Sequence, residues 1–196
     1  MSDLHCPATV LVARHGEAEY ESDLLSDAGG SLTMAGRSQS AELARSLAAE
    51  SVALVYSSPL SRAVQTAEIV AASVGGVVRV REAFAELSVG DLAGEPDAGL
   101  APVFERWRAG DLTAGVPGSE SGEQVVARVR GALEDIADLH RGETVLVVSH
   151  GWAMGVALSY LVHGAGLGRP LPSCRPVRMH ADAGGWRCVE WPDDQR

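Results

Sequence analysis

The chain has 196 residues, 46% hydrophobic and 21% charged, with 16 Lys+Arg against 26 Asp+Glu and a formal net charge of −10. This length predicts one domain over 1–196 whose core needs no disulfide or metal staple, and the composition excludes a disordered tail, a collagen-like fibre and a coiled coil. So acidic a chain lacks the basic face of a nucleic-acid binder, and an anionic substrate would have to be met by a few arginines converging on one place.

The first residues, Met1-Ser2-Asp3-Leu4-His5, show no basic segment leading into an apolar one, so no secretory leader is expected. No apolar run reaches the roughly 18 residues of a membrane span. Cys6, Cys174 and Cys188 form no CxxC pair, which predicts free thiols and a reducing, cytoplasmic setting. No metal, cofactor, membrane or nucleic-acid partner is expected.

Thr9-Val10-Leu11-Val12-Ala13 is a continuous apolar run, the pattern of a strand buried on both faces. It stops at Arg14-His15-Gly16-Glu17, and the polar stretch from Glu17 to Ser31 reads as loop. Thr33 is placed to cap a helix over about 34–49, with Leu43, Ala44, Leu47 and Ala48 in one stripe. A second strand, Ala53-Leu54-Val55-Tyr56, is followed by Ser58-Pro59, which reads as the N-cap and first residue of a helix. That helix carries Ala63, Ala67, Val70 and Ala71 on one face. Val77-Val78-Arg79-Val80 is a third strand, and about 87–120 reads as a loop or lid insertion with one short helix near Phe104–Trp107.

Ser121-Gly122-Glu123-Gln124 has the form of a capping box, and the helix behind it places Val126, Val129, Leu133, Ile136 and Ala137 on one side. Thr144-Val145-Leu146-Val147-Val148 is a fourth buried strand, ending in Ser149-His150-Gly151 before an apolar helix over about 152–162. Residues 174–191 read as two strands about a turn at Asp182-Ala183-Gly184-Gly185. The alternation predicts a three-layer α/β/α fold: a mainly parallel sheet, helices on both faces and a C-terminal hairpin at one edge. Such an edge is a place where two copies could pair as a homodimer.

In sheets of this kind ligands bind at the carboxyl ends of the strands. There the chain places Arg14 and His15 after strand one, Arg62 in the first turn after strand two, Glu82 and Glu86 after strand three, and His150 after strand four. Each alone has an ordinary structural explanation, a solvated arginine or a hydrogen-bonded histidine. Their joint placement suits phosphoryl transfer. Forked arginines match phosphate oxygens, a neutral imidazole is a competent nucleophile near pH 7, a second histidine offsets charge on the transferring group, and a carboxylic acid protonates the leaving alkoxide.

These residues also sit in segments with a familiar order. Val12-Ala13-Arg14-His15-Gly16-Glu17 resembles the RHG signature of the histidine phosphatase superfamily, the phosphoglycerate mutase-like fold. Leu32-Thr33-Met34-Ala35-Gly36-Arg37-Ser38-Gln39 is similar to its LTxxGxxQ segment, and Ser57-Ser58-Pro59-Leu60-Ser61-Arg62-Ala63-Val64-Gln65-Thr66-Ala67 to its SSPLxRAxQTA block. Glu86-Leu87-Ser88-Val89-Gly90, Pro117-Gly118-Ser119-Glu120-Ser121 and Val148-Ser149-His150-Gly151 resemble its acid/base, GGES and second-histidine segments. The resemblance implies His15 as nucleophile, Arg14, Gly16, Arg62 and His150 as the phosphate site, and Glu86 as proton donor, with spacing to Gly90 favouring it over Glu82. It implies no metal.

The departures from the family bear on the substrate. Ala18-Glu19-Tyr20-Glu21 stands where Thr or Ser and then Asn are usual, and Gly90-Asp91-Leu92-Ala93-Gly94 lacks the Trp and Glu of GxWEG. Glu19 and Glu21 bring negative charge towards the mouth. The expectation is a metal-independent phosphomonoesterase acting on a small phosphorylated metabolite through a phosphohistidine. The alternatives are a phosphoglycerate mutase-type phosphotransferase and a phospho-ligand binding protein without turnover. Of the remaining aromatics and histidines, Trp152 is placed near the site. Trp107, Trp186 and Trp191 are expected in the core or a wall, and His5, His140, His163 and His180 in structural or surface positions. Arg106 and Arg108 read as solvated.

Overall fold

The computed structural model describes residues 6–27, 29–162, 171–182 and 184–192. His5 and His163, on which expectations were placed, lie outside them. Among the described residues the strands are β1 (Ala8–Arg14), β2 (Ala18–Glu19), β3 (Ser31–Leu32), β4 (Val52–Ser57), β5 (Val78–Val80), β6 (Thr144–Ser149), β7 (Val177–Asp182) and β8 (Gly185–Glu190). The α-helices among them are α1 (Met34–Ser46), α2 (Ser61–Val74), α3 (Ala101–Arg108), α4 (Gly122–Leu139) and α5 (Gly151–Leu161).

Six strands form one sheet in the order β5-β4-β6-β1-β7-β8. The first four run parallel, β7 is antiparallel to β1, and β8 pairs antiparallel with β7 at the edge. The expected α/β fold is the one observed. Side chains alternate across the strands, so β1 sends Val10 and Val12 to one face and Leu11 and Ala13 to the other. On β6, Val145 and Val147 join the first face and Leu146 and Val148 the second. One layer packs Leu43, Ala44, Ala63, Ala67 and Val70 of α1 and α2. The opposite layer packs Val129, Leu133 and Ile136 of α4 with Ala153, Met154 and Leu158 of α5, and Phe104 and Trp107 of α3 join it. Each fully buried aliphatic contributes about 1.5–3 kcal/mol.

Local chemistry sets the helix starts. The Thr33 hydroxyl accepts from the Gly36 N–H at 3.0 Å to open α1. Ser121 and Gln124 form the reciprocal capping box of α4. The helix α2 departs from expectation. It starts at Ser61 behind Leu60, not at Ser58-Pro59. The Ser58 hydroxyl accepts from Leu60 N–H at 3.2 Å and faces a histidine, so it makes a tight turn instead of a cap. The helix α1 ends at Ser46, and β5 begins at Val78 with Val77 63% exposed.

Two stretches expected to be loop carry more structure. Within 17–31, β2 and β3 pair antiparallel. Within 87–120 lie 3-10 turns at Gly90–Leu92 and Asp97–Leu100 and the helix α3. These stretches are tied together: Leu25 N–H donates to Glu95 O at 2.8 Å, Gly94 N–H to Leu25 O at 2.9 Å, and the Asp27 carboxylate accepts from Val89 N–H at 2.6 Å and the Ser88 hydroxyl at 2.7 Å. Among the described residues no helix is long and apolar enough to cross a membrane. Cys6, Cys174 and Cys188 are free, and burial pushes the Cys174 thiol up to about 11.

Candidate active site

The parallel strands β4, β6 and β1 deliver their carboxyl ends side by side. Arg14 is in register with Ser149, His15 N–H donates to Ser149 O at 2.9 Å, and Ser58 N–H donates to Val148 O at 3.0 Å. His15, Ser58 and His150 are therefore neighbours, although 43 and 92 positions separate them in sequence.

His15 is 4% exposed. Its Nδ1 lies 2.7 Å from the Gly16 carbonyl. A carbonyl only accepts, so Nδ1 carries the proton and Nε2 keeps its lone pair. Arg62 Nε–H donates to that lone pair at 3.3 Å. Burial above all, with the charges of Arg14 and Arg62 acting in the same direction, pushes the His15 pKa down to about 3 against the raising effect of the Gly16 carbonyl. The imidazole is neutral at ordinary pH. Gly16 itself is a steric requirement: its N–H donates to Thr66 Oγ1 at 3.1 Å, and a Cβ there would lie 2.5 Å from Gly36 O.

Arg62, on the first turn of α2, is 6% exposed. Its Nε reaches His15, its NH1 donates to Gly29 O at 2.9 Å, and its guanidinium lies over the Tyr20 ring at 5.4 Å. Arg14 donates from NH1 to Leu171 O at 3.4 Å, while its buried Nε has no hydrogen-bond partner among the described residues. His150 is fully buried, its ring 5.1 Å from that of His15 in an edge-on arrangement. Its Nε2 lies 2.7 Å from Ser58 Oγ, and its Nδ1 has no partner among the described residues. Burial first, then Arg62, His15 and Arg14, holds it well below the usual imidazole range.

The two candidate carboxylates separate clearly. Glu82 is exposed at the start of a 3-10 turn over Glu82–Phe84. Glu86 turns inward onto the start of α5: Oε1 accepts from Ala153 N–H at 2.8 Å and Leu87 N–H at 3.0 Å, and Oε2 from Trp152 N–H at 3.2 Å. A helix N-terminus offers these free N–H groups. The Trp152 ring stacks on Phe104 of α3 at 3.7 Å. Among the described residues no group of three or more His, Cys, Asp or Glu is placed to hold a metal ion.

The sequence pattern of the histidine phosphatase superfamily (branch 1) matches residues 10–194. The chain belongs to the histidine phosphatase superfamily. The probable phosphoglycerate mutase GpmB of Yersinia enterocolitica is 31% identical over 176 residues, covering 87% of this chain and 80% of that protein. Among solved structures, Bacillus stearothermophilus YhfR is 26% identical with a TM-score of 0.79, covering 93% of this chain and 95% of that one. Mycobacterial glucosyl-3-phosphoglycerate phosphatase shares the fold with a TM-score of 0.79 at 24% identity, over 94% of this chain and 98% of that one.

Residues to which the sequence reading gave no role also brace the site of this histidine phosphatase chain. Arg128 of α4 donates from NH1 to the carbonyls of Ala83 and Ala85 at 2.8 and 2.9 Å, and grips Glu120 from Nε and NH2 at 2.8 and 2.6 Å. It thus braces the segment that leads into Glu86. Nothing local marks it, because its partners lie 43, 45 and 8 positions away. Thr66 was legible in principle: it sits four residues after Arg62 and accepts from Gly16 N–H while its own hydroxyl donates to Arg62 O at 2.9 Å. Other expectations resolve simply. Trp107 is buried with its indole N–H on Ala114 O, His140 bridges Tyr56 and Glu143, and Arg106 pairs with Asp111 at the surface.

Proposed function

We propose that this chain is a metal-independent phosphomonoesterase that passes the phosphoryl group through His15. One observation carries the reading: beside a neutral imidazole whose Nε2 lone pair is free of a proton, two buried polar atoms, Arg14 Nε and His150 Nδ1, have no hydrogen-bond partner among the described residues. Buried polar groups are normally satisfied. Two such atoms on residues whose ring or charge lies close to His15 fit the oxygens of a phosphoryl group.

In this reading the ester binds with its phosphoryl oxygens on Arg14, Arg62 and His150. Arg62 turns from His15 Nε2 to an oxygen, and the lone pair is released. Nε2 attacks phosphorus, the P–O bond to the alcohol breaks, and the Glu86 carboxyl gives its proton to the leaving alkoxide. The Glu86 carboxylate then takes a proton from water as the oxygen attacks phosphorus and the P–N bond breaks. Orthophosphate leaves, and His15 and Glu86 return to their starting states.

The 31% identical relatives named as probable phosphoglycerate mutases favour a second reading, transfer within a phosphoglycerate. A phosphoglycerate carries a carboxylate besides its phosphate. The tied rim segments 17–27 and 87–96 hold seven carboxylic residues and neither Lys nor Arg, which supports hydrolysis. Product analysis separates the two: orthophosphate release from a panel of phosphorylated metabolites, surviving EDTA, is expected. An isomerised ester without release establishes the mutase, and activity restored only by added Mg²⁺ or Zn²⁺ refutes the metal-independent mechanism.

A further inference from the structure

We propose that Ser58 is a positioning residue that fixes the tautomer of His150, holding its Nδ1 as an N–H donor towards the transferred phosphoryl group. The proposal rests on reading the site as a phosphoryl-transfer centre. Its starting point is proton accounting around one short contact, Ser58 Oγ to His150 Nε2 at 2.7 Å.

Ser58 is fully buried. Its oxygen already accepts the Leu60 N–H at 3.2 Å, and its own hydrogen needs an acceptor. A neutral imidazole offers one donor and one acceptor. Suppose His150 carried its proton on Nε2 and donated to Ser58. The serine hydrogen would then have no acceptor among the described residues, and Nδ1 would present a bare lone pair in the interior. That lone pair would face a site built of arginines and await an anion it could only repel.

The opposite tautomer resolves every group. The Ser58 hydroxyl donates to Nε2, and Nδ1 becomes an N–H. The atoms left over are then Arg14 Nε–H and His150 Nδ1–H, the two unpartnered buried atoms of the site. Both are donors. Arg14 Nε lies against the residue that follows His150, 3.4 Å from where a Cβ on Gly151 would stand, and the Arg14 charge bears on the His150 ring. Two buried donors with no acceptor among the described residues match a phosphoryl group, which has oxygens to accept both.

The test reads the tautomer directly, by ¹⁵N NMR of the imidazole nitrogens in the full-length protein, with His150 assigned through a His150→Gln variant. Wild type is expected to show His150 protonated at Nδ1, Ser58→Thr to keep that state, and Ser58→Ala to shift population to Nε2–H. In turnover, Ser58→Ala should lose roughly 10- to 100-fold in kcat, the scale on which partners of functional imidazoles act. The loss should be coupled: Ser58→Ala added to His150→Ala should cost far less than the product of the single losses. A wild-type His150 protonated at Nε2, an unchanged tautomer in Ser58→Ala, or fully multiplicative losses would overturn the proposal. If Ser58→Ala does not fold, the wild-type and Ser58→Thr spectra still decide it. If no phosphate ester is turned over, the functional reading fails while the spectra continue to test Ser58.

Discussion

Arg62 Nε–H points at His15 Nε2 across 3.3 Å, so a buried guanidinium rests on the very lone pair that the proposed reaction uses. A guanidinium cannot be deprotonated in proteins, and together with Arg14 it reinforces what burial does to the imidazole. Burial keeps His15 neutral, and the contact aims its lone pair.

The pH consequence has a definite sign. In the unfolded chain a histidine titrates near 6.5, whereas in the folded protein His15 titrates at about 3. Between these values the unfolded state binds the extra proton, so the His15 contribution to stability is present above 6.5 and is lost as pH falls towards 3. The lowered His150 acts in the same direction. Thermal unfolding should show Tm falling through this window, with a shallower slope in His15→Asn. By NMR the His15 ring should remain neutral at pH 5; a ring titrating between 6 and 7 contradicts the assignment.

The covalent role predicts a hierarchy of losses. His15→Ala should abolish turnover, because no bond to phosphorus can form. Arg62→Lys keeps a charge but loses the fork, and removal of one preorganised donor costs about 10²–10³ in rate. Rapid-quench trapping of acid-labile phosphoenzyme should give signal in wild type and Arg62→Lys and none in His15→Ala. Steady turnover by His15→Ala would remove His15 from the mechanism.

Much of this arrangement is legible in the chain itself. The strands β1 and β6 are apolar runs that end at Arg14 and at Ser149, just before His15 and His150, and burial on both faces demands such runs. The Thr33 and Ser121 caps are local chemistry within three residues. What is not legible depends on distant partners. Nothing local shows that Ser58 stands against His150, which the β4–β6 pairing brings beside it. The turns at Gly90–Leu92 are secured by Asp27 and by Pro117 O, which accepts Asp91 N–H at 2.7 Å, and neither is near in sequence. Glu82 and Glu86 look alike until α5 supplies N–H groups to one of them.

Gly16 gives a steric prediction. The missing side chain lets the loop after β1 lie against the start of α1, where a Cβ would stand 2.5 Å from Gly36 O. Backbone cannot yield as a flexible side chain does. Gly16→Ala should cost about 1–3 kcal/mol, as overpacking does, and should also displace His15 and lower kcat. Gly75→Ala, at a helix end with φ +72 and open space around it, should lose stability by roughly 1 kcal/mol and leave kcat unchanged. Equal kcat in both variants would mean the Gly16 contact does not position His15.

The proton transfers proposed for Glu86 can be separated by the leaving group. An alkyl alkoxide needs a proton as the P–O bond breaks, whereas a nitrophenolate leaves without one. General acid catalysis is worth about 10²–10⁴ in rate, so Glu86→Gln should slow phosphoenzyme formation from an alkyl ester by that order and from an aryl ester far less. The substitution is a fair probe of chemistry because the amide oxygen can keep the Ala153 and Leu87 N–H bonds made by Oε1, leaving only the Trp152 contact altered. Hydrolysis of phosphohistidine needs an activated water, so the variant should accumulate phosphoenzyme on the aryl ester. Glu82 is exposed outside the histidine cluster, and Glu82→Gln should match wild type on both esters. Rapid-quench measurements on the three proteins decide the assignment: an equal loss on both esters in Glu86→Gln refutes the general-acid role, and loss of the alkyl reaction in Glu82→Gln alone transfers it to Glu82.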